Sequence, residues 1–102
     1  LKVRKYEEFV AAGAFMPIDD DAYSVIGLCG EAGEVAEWVK KAQFRGNKKF
    51  TEDMLKLELG DVLHYVTRMA LNHDWTLKEL MDANSEKLMG RKDVALSVAA
   101  NS

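Results

Sequence analysis

The sequence predicts an all-α fold: a four-helix, bundle-like subunit built around a central antiparallel helix hairpin. Two observations carry this expectation. Apolar residues recur at intervals of three and four rather than two, and β-branched residues are sparse. The chain of 102 residues holds a single proline, and the breaks between periodic stretches are short, which makes consecutive helices antiparallel neighbours.

The first helix is expected over residues 3–15. Residues 16–20 form a loop, because Pro17 ends a helix and Asp19 and Asp20 can cap the next. The second helix runs over residues 22–44 and stops at Gly46-Asn47, a C-terminal signal. Thr51 caps the third, which carries Glu52 and Asp53 at its positive dipole end and runs to about residue 72. Thr76 and Glu79 form a capping box for the fourth helix, with Trp75 as its hydrophobic staple and an end near Gly90. Residues 1–92 read as one domain and 93–102 as a frayed tail. The second helix carries an apolar stripe of Val25, Leu28, Cys29, Ala32, Val35, Ala36 and Val39. The third carries Leu55, Leu59, Val62, Leu63, Val66, Met69 and Ala70. Both stripes read as core, with Cys29 a small buried hydrophobe.

Composition excludes several classes. The net charge of −3 argues against nucleic-acid binding. One cysteine cannot make a disulfide framework within the chain, nor a zinc site with only two histidines. The apolar runs are too short to span a membrane and no targeting segment is visible, so a cytoplasmic location is expected. The cations Lys40, Lys41, Arg45, Lys48 and Lys49 cluster without an acid among them. Such a cluster suits either a helix C-terminus running into a solvated loop or the attraction of a polyphosphate.

The acids have a pattern of their own. At about 100° per residue, with Leu28 at the centre of its stripe, Glu31 borders the apolar face. Glu34 lies about 60° further out, and Glu37 faces water. On the third helix Glu58 and Asp61 flank the stripe with the same i, i+3 spacing. The two pairs can converge across the hairpin. Carboxylates so placed repel one another unless some are protonated or a cation lies among them, and oxygen ligands alone suit Mg²⁺ or Mn²⁺. Ordinary surface acids on amphipathic helices show the same spacing. Gly27, Gly30, Gly33 and Gly60 interrupt the same two helices, each costing about 1 kcal/mol relative to alanine, which implies close helix–helix approach, within the chain or between subunits.

The run Gly27-Leu28-Cys29-Gly30-Glu31-Ala32-Gly33-Glu34-Val35-Ala36-Glu37 resembles the first signature of the MazG-like nucleotide pyrophosphohydrolases, of the all-α NTP pyrophosphatase superfamily. Glu58-Leu59-Gly60-Asp61 matches their E-x-x-D helix, and Asn84, Lys87 and Arg91 match an N-x-x-K-x-x-x-R pattern on the last helix. Gly30 stands where many relatives carry a further glutamate. The resemblance covers most of the chain. It implies Mg²⁺-dependent hydrolysis of a nucleoside triphosphate to monophosphate and pyrophosphate, in nucleotide-pool housekeeping. Glu31, Glu34, Glu58 and Asp61 would then be metal ligands, one of them orienting or deprotonating water, with Asn84, Lys87 and Arg91 on phosphate or sugar. The alternatives are a non-catalytic dimeric module that senses nucleotides and, within the family, a phosphoribosyl-ATP pyrophosphatase.

Four further residues are candidates for substrate contact. Lys40 and Lys41 either reach phosphate or sit on a solvated face. Trp38 either stacks on a base or belongs to the core or a subunit interface. Tyr65 lies on the Asp61 border, where it could touch sugar or base. His64 and His73 read as structural or exposed, and Tyr6, Phe9 and Phe15 as core or interface. So short a chain has little volume to enclose a nucleotide. A homodimer or dimer of dimers is therefore expected, joined through the first three helices, with the site at or near the interface. Family members point the same way.

Overall fold

The computed structural model describes residues 1–13 and 21–101, with side chains as far as Gly90. The described residues form helices α1 (Val3–Ala11), α2 (Asp21–Val39), α3 (Glu52–Asn72) and α4 (Leu77–Asn101), with no strand among them. A π-helical turn, Lys40–Phe44, extends α2. No described helix is long and apolar enough to cross a membrane.

Local chemistry explains the boundaries. Thr51 Oγ1 accepts from the Met54 amide at 3.3 Å, the expected cap of α3. At α4 the Glu79 amide donates to Thr76 Oγ1 at 3.1 Å while the Glu79 carboxylate accepts from Thr76, so the capping box forms as read. A second carboxylate helps there: Glu7, on α1, accepts from the Leu77 amide at 2.8 Å. Helix α1 ends earlier than expected because Gly13 takes φ +65, and the loop expected at 16–20 with its caps Asp19 and Asp20, like Phe15, lies outside the described residues. Helix α4 corrects the expected end near Gly90 and runs on to Asn101. Gly90 is not among the positive-φ glycines, so nothing there turns the chain, and the alanine-rich stretch that follows favours helix.

Helices α2 and α3 form the central hairpin, pinned at both ends. At one end Asp21 accepts from His73 Nε2 at 2.6 Å, with Asn72 Nδ2 at 3.5 Å. At the other the Trp38 indole N–H donates to the Thr51 carbonyl at 2.8 Å. Helix α1 lies on α3, where the buried Arg68 guanidinium donates to the Val10 carbonyl at 3.0 Å.

Among the hydrophobic residues described, only Val10, Trp38, Ala70 and Leu77 are buried. The two stripes face each other yet stay partly open, and Cys29, expected inside, is exposed. Ile26 and Leu57 are 72% and 71% exposed, so both hairpin helices present apolar side chains that the described residues leave uncovered. From Lys78 to Gly90 every α4 residue except Leu80 is exposed, so this helix projects as an arm. The radius of gyration, 17.4 Å, reflects that arm; a compact chain of this length would have about 13 Å.

Candidate metal centre

The hairpin brings Glu31 of α2 and Glu58 and Asp61 of α3 together, each offering a carboxylate oxygen within 4.8 Å of the others. Glu31 and Glu58 are half-buried and Asp61 is exposed, as border positions on amphipathic helices should be. The Glu31 carboxyl is raised above its ordinary pKa. Burial is the first cause, followed by the charges of Asp61, Glu58 and Glu34, and last a hydrogen bond with Asp61. Three oxygen donors at this separation, without histidine or cysteine, are a ligand set for a hard divalent cation.

Beside the acids lies a cavity of ≈ 430 Å³, lined by Tyr6 and Phe9 of α1, Tyr23 and Glu31 of α2, and Gly60, Asp61, His64 and Tyr65 of α3. Its size is that of a small-ligand site. Aromatic rings form much of the wall. Tyr6 and Phe9 lie 6.4 Å apart, and His64 meets Tyr65 edge-on at 5.3 Å. Burial raises the Tyr6 hydroxyl pKa, opposed by a hydrogen bond with Thr67 and assisted by Asp61. Burial also raises Tyr65, with smaller contributions from Tyr23, Glu31 and Asp61. His64 is lowered by burial and by the Arg68 guanidinium, against the pull of Asp61, so its imidazole is neutral near pH 7. Together the groups offer a cation site at one edge and flat apolar surfaces at the other.

The remaining sequence-predicted residues fall elsewhere. Glu34 is exposed and stands outside the trio, although its charge reaches Glu31. Trp38 belongs to the core, its N–H bound to Thr51. Lys40 is exposed on the π-helical turn. Lys41 pairs with Glu37 at 3.1 Å and lies 5.2 Å from the centre of the Phe50 ring. Neither lysine lines the cavity, and no lysine or arginine is among the described residues that do. Asn84 and Lys87 stand exposed on α4; Arg91 lies on the same helix, its side chain outside the described residues. Among the described side chains, Tyr65 alone of the predicted substrate-contacting residues lines the cavity.

Sequence reasoning missed Tyr6, Phe9, Tyr23 and His64 as cavity residues. For two of them a signal existed. His64 is three residues beyond Asp61 and so shares its face of α3, and Tyr23 points in nearly the direction of Glu34 on the α2 wheel. For Tyr6 and Phe9 there was none, since only docking of α1 brings them here.

Comparison with known proteins agrees with this geometry. The family model described as the MazG nucleotide pyrophosphohydrolase domain matches residues 24–95, a span holding all three clustered carboxylates. The chain is also similar to the Gene 37 protein of Mycobacterium phage L5, 39% identical over 88 residues that cover 83% of this chain and 77% of that protein. No solved structure matches.

Proposed function

This chain belongs to the MazG nucleotide pyrophosphohydrolase family, and from that premise we propose that it hydrolyses nucleoside triphosphates, deoxy or ribo, to the monophosphate and pyrophosphate, in cytoplasmic nucleotide-pool housekeeping. The observation that carries the reading is the convergence of Glu31, Glu58 and Asp61 beside an aromatic-walled cavity. Those three carboxylates would hold Mg²⁺, or Mn²⁺ in its place, and Glu34, outside the trio, would add its charge. When bound, such a cation would offset phosphate charge and make a water more acidic. One of the carboxylates orients that water for attack. Tyr6, Phe9, Tyr23 and Tyr65 offer ring faces to the base and sugar.

Triphosphate binding also calls for cations, and the cavity wall supplies none from the described residues. Asn84, Lys87 and Arg91 sit on the projecting α4. We therefore place these three at the site of a second copy, in a homodimer or a dimer of dimers closed over the hairpin. The exposure of Ile26 and Leu57 supports this arrangement, as does the open space at Gly30, Gly33 and Gly60.

A panel of nucleoside triphosphates, phosphoribosyl-ATP included, with Mg²⁺ tests the chemistry. Pyrophosphate and a monophosphate are expected, and both should vanish in Asp61→Ala and in excess EDTA. A diphosphate with free phosphate, or full activity in either condition, refutes the reading. Light scattering should give at least twice 11.4 kDa at micromolar concentration. A fully active monomer refutes the shared site.

A further inference from the structure

Gly27 differs from the other helical glycines of the hairpin. A Cβ built on Gly30, Gly33 or Gly60 meets nothing within 4 Å. A Cβ on Gly27 would fall inside 3.0 Å of three atoms of the Tyr65 ring, Cδ1, Cε1 and Cζ. One edge of the phenol therefore rests directly on the α2 backbone, up to the carbon that bears the hydroxyl. Glycine weakens a helix interior relative to alanine, so this position gives up helix stability for that contact.

The contact has a definite place in the hairpin. Gly27 lies four residues before Glu31 on α2, and Tyr65 four residues after Asp61 on antiparallel α3. Residues so spaced stack on one helix face. The glycine–tyrosine contact is thus the next rung along from the carboxylate cluster, about 6 Å away along the helix axes. Tyr65 lines the same cavity as Glu31 and Asp61, and its hydroxyl lies close enough to feel both charges.

We propose that Gly27 is a positioning residue: the space left by its missing side chain seats the Tyr65 ring and thereby sets where the nucleoside part of the substrate meets the cavity wall. This rests on the pyrophosphohydrolase reading for the identity of the substrate, and on geometry alone for the seat. A methyl group at 27 moves a ring that can rotate about its own side-chain bonds, so the helix persists while the wall shifts. Gly27 acts through Tyr65 and touches no reacting atom.

The test is a double-mutant cycle on the full chain with Gly27→Ala, Tyr65→Ala and both together. Three quantities are read: KM and kcat for the best triphosphate, Mn²⁺ affinity by electron paramagnetic resonance, and the thermal midpoint. Gly27→Ala should raise KM about tenfold and change kcat less, the pattern of a displaced contact wall. Mn²⁺ affinity should stay within about twofold, because the carboxylates do not move. In the Tyr65→Ala background the same substitution should change KM less than about twofold and raise the thermal midpoint, since alanine favours helix once the ring is gone. An unchanged KM in Gly27→Ala, or an equal rise in both backgrounds, overturns the proposal. Should the wild type release no pyrophosphate, the functional reading fails while the seat is still tested. The effect of Gly27→Ala on the midpoint must then depend on Tyr65, and independence overturns it.

Discussion

Replacing Glu31 by glutamine should strengthen the metal-free fold while removing the activity. The substitution keeps shape and volume and deletes one charge from a trio whose oxygens lie within 4.8 Å of one another. Two unit charges at that distance repel by about 1 kcal/mol in water and about 3.5 kcal/mol at an effective dielectric of 20. Asp61 is exposed, so the watery limit governs, and loss of two such repulsions should stabilise Glu31→Gln by about 1–2 kcal/mol. The thermal midpoint in EDTA should rise by about 4–16 °C. Added Mn²⁺ should raise the wild-type midpoint and leave the variant nearly unmoved, at one fixed protein concentration. The pH dependence follows from the same charges. The folded-state pKa of Glu31 is raised above the ordinary 4.5, so the folded form holds this proton longer than the unfolded chain does. The metal-free wild type should therefore lose stability as pH rises through the range just above that value, and Glu31→Gln should lose less. A variant less stable than wild type in EDTA, or one that Mn²⁺ stabilises equally, would refute the clustering of charge on which the candidate metal centre rests.

Two further outcomes can be checked on the same instrument. Trp38→Phe removes the indole bond to the Thr51 carbonyl while keeping most of the buried ring. It should cost about 1–2 kcal/mol by chemical denaturation, with Mn²⁺ affinity unchanged, and an unaltered midpoint would show that the bond is not holding the hairpin end. The lowered pKa of His64 means that the folded state resists its protonation. Its contribution to stability is present above the unfolded value of about 6.5 and is lost as pH falls from there through the lower folded-state value. His64→Gln should flatten the stability profile over that window, and an identical profile would remove His64 from the titration.

What the sequence made legible was local in origin. Thr51, Thr76 and Glu79 signal helix starts through bonds to neighbours three residues away, so their caps could be read in advance. Glu31, Glu58 and Asp61 were legible because a helix wheel fixes direction, and the same wheel turned Glu34 further outward, where it stands exposed. The rest depended on partners that a pattern does not name. Cys29 carries a core-like pattern, yet it is exposed, with no cover among the described residues. Tyr6 and Phe9 reach the cavity through the docking of α1, which the Arg68 bond to the Val10 carbonyl helps to fix from far along the chain. Gly90 resembled a helix end, but a glycine stops a helix only when the backbone turns there.

The pinning of the hairpin at both ends bears on which changes of length this chain can absorb. With Asp21 held by His73 and Trp38 held at Thr51, neither long helix is able to slide against the other. One residue inserted between Ser24 and Gly30 would turn Glu31 by about 100° relative to the Asp21 anchor and carry its carboxylate away from Glu58 and Asp61. A deletion would do the same in the opposite sense. The connection over residues 45–50 is under no such restriction, since doubling a flexible loop costs only about 0.6 kcal/mol. Descendants of this chain should therefore vary in length at that turn and keep the spacing from Asp21 to Glu31 and from Glu58 to His73 residue for residue.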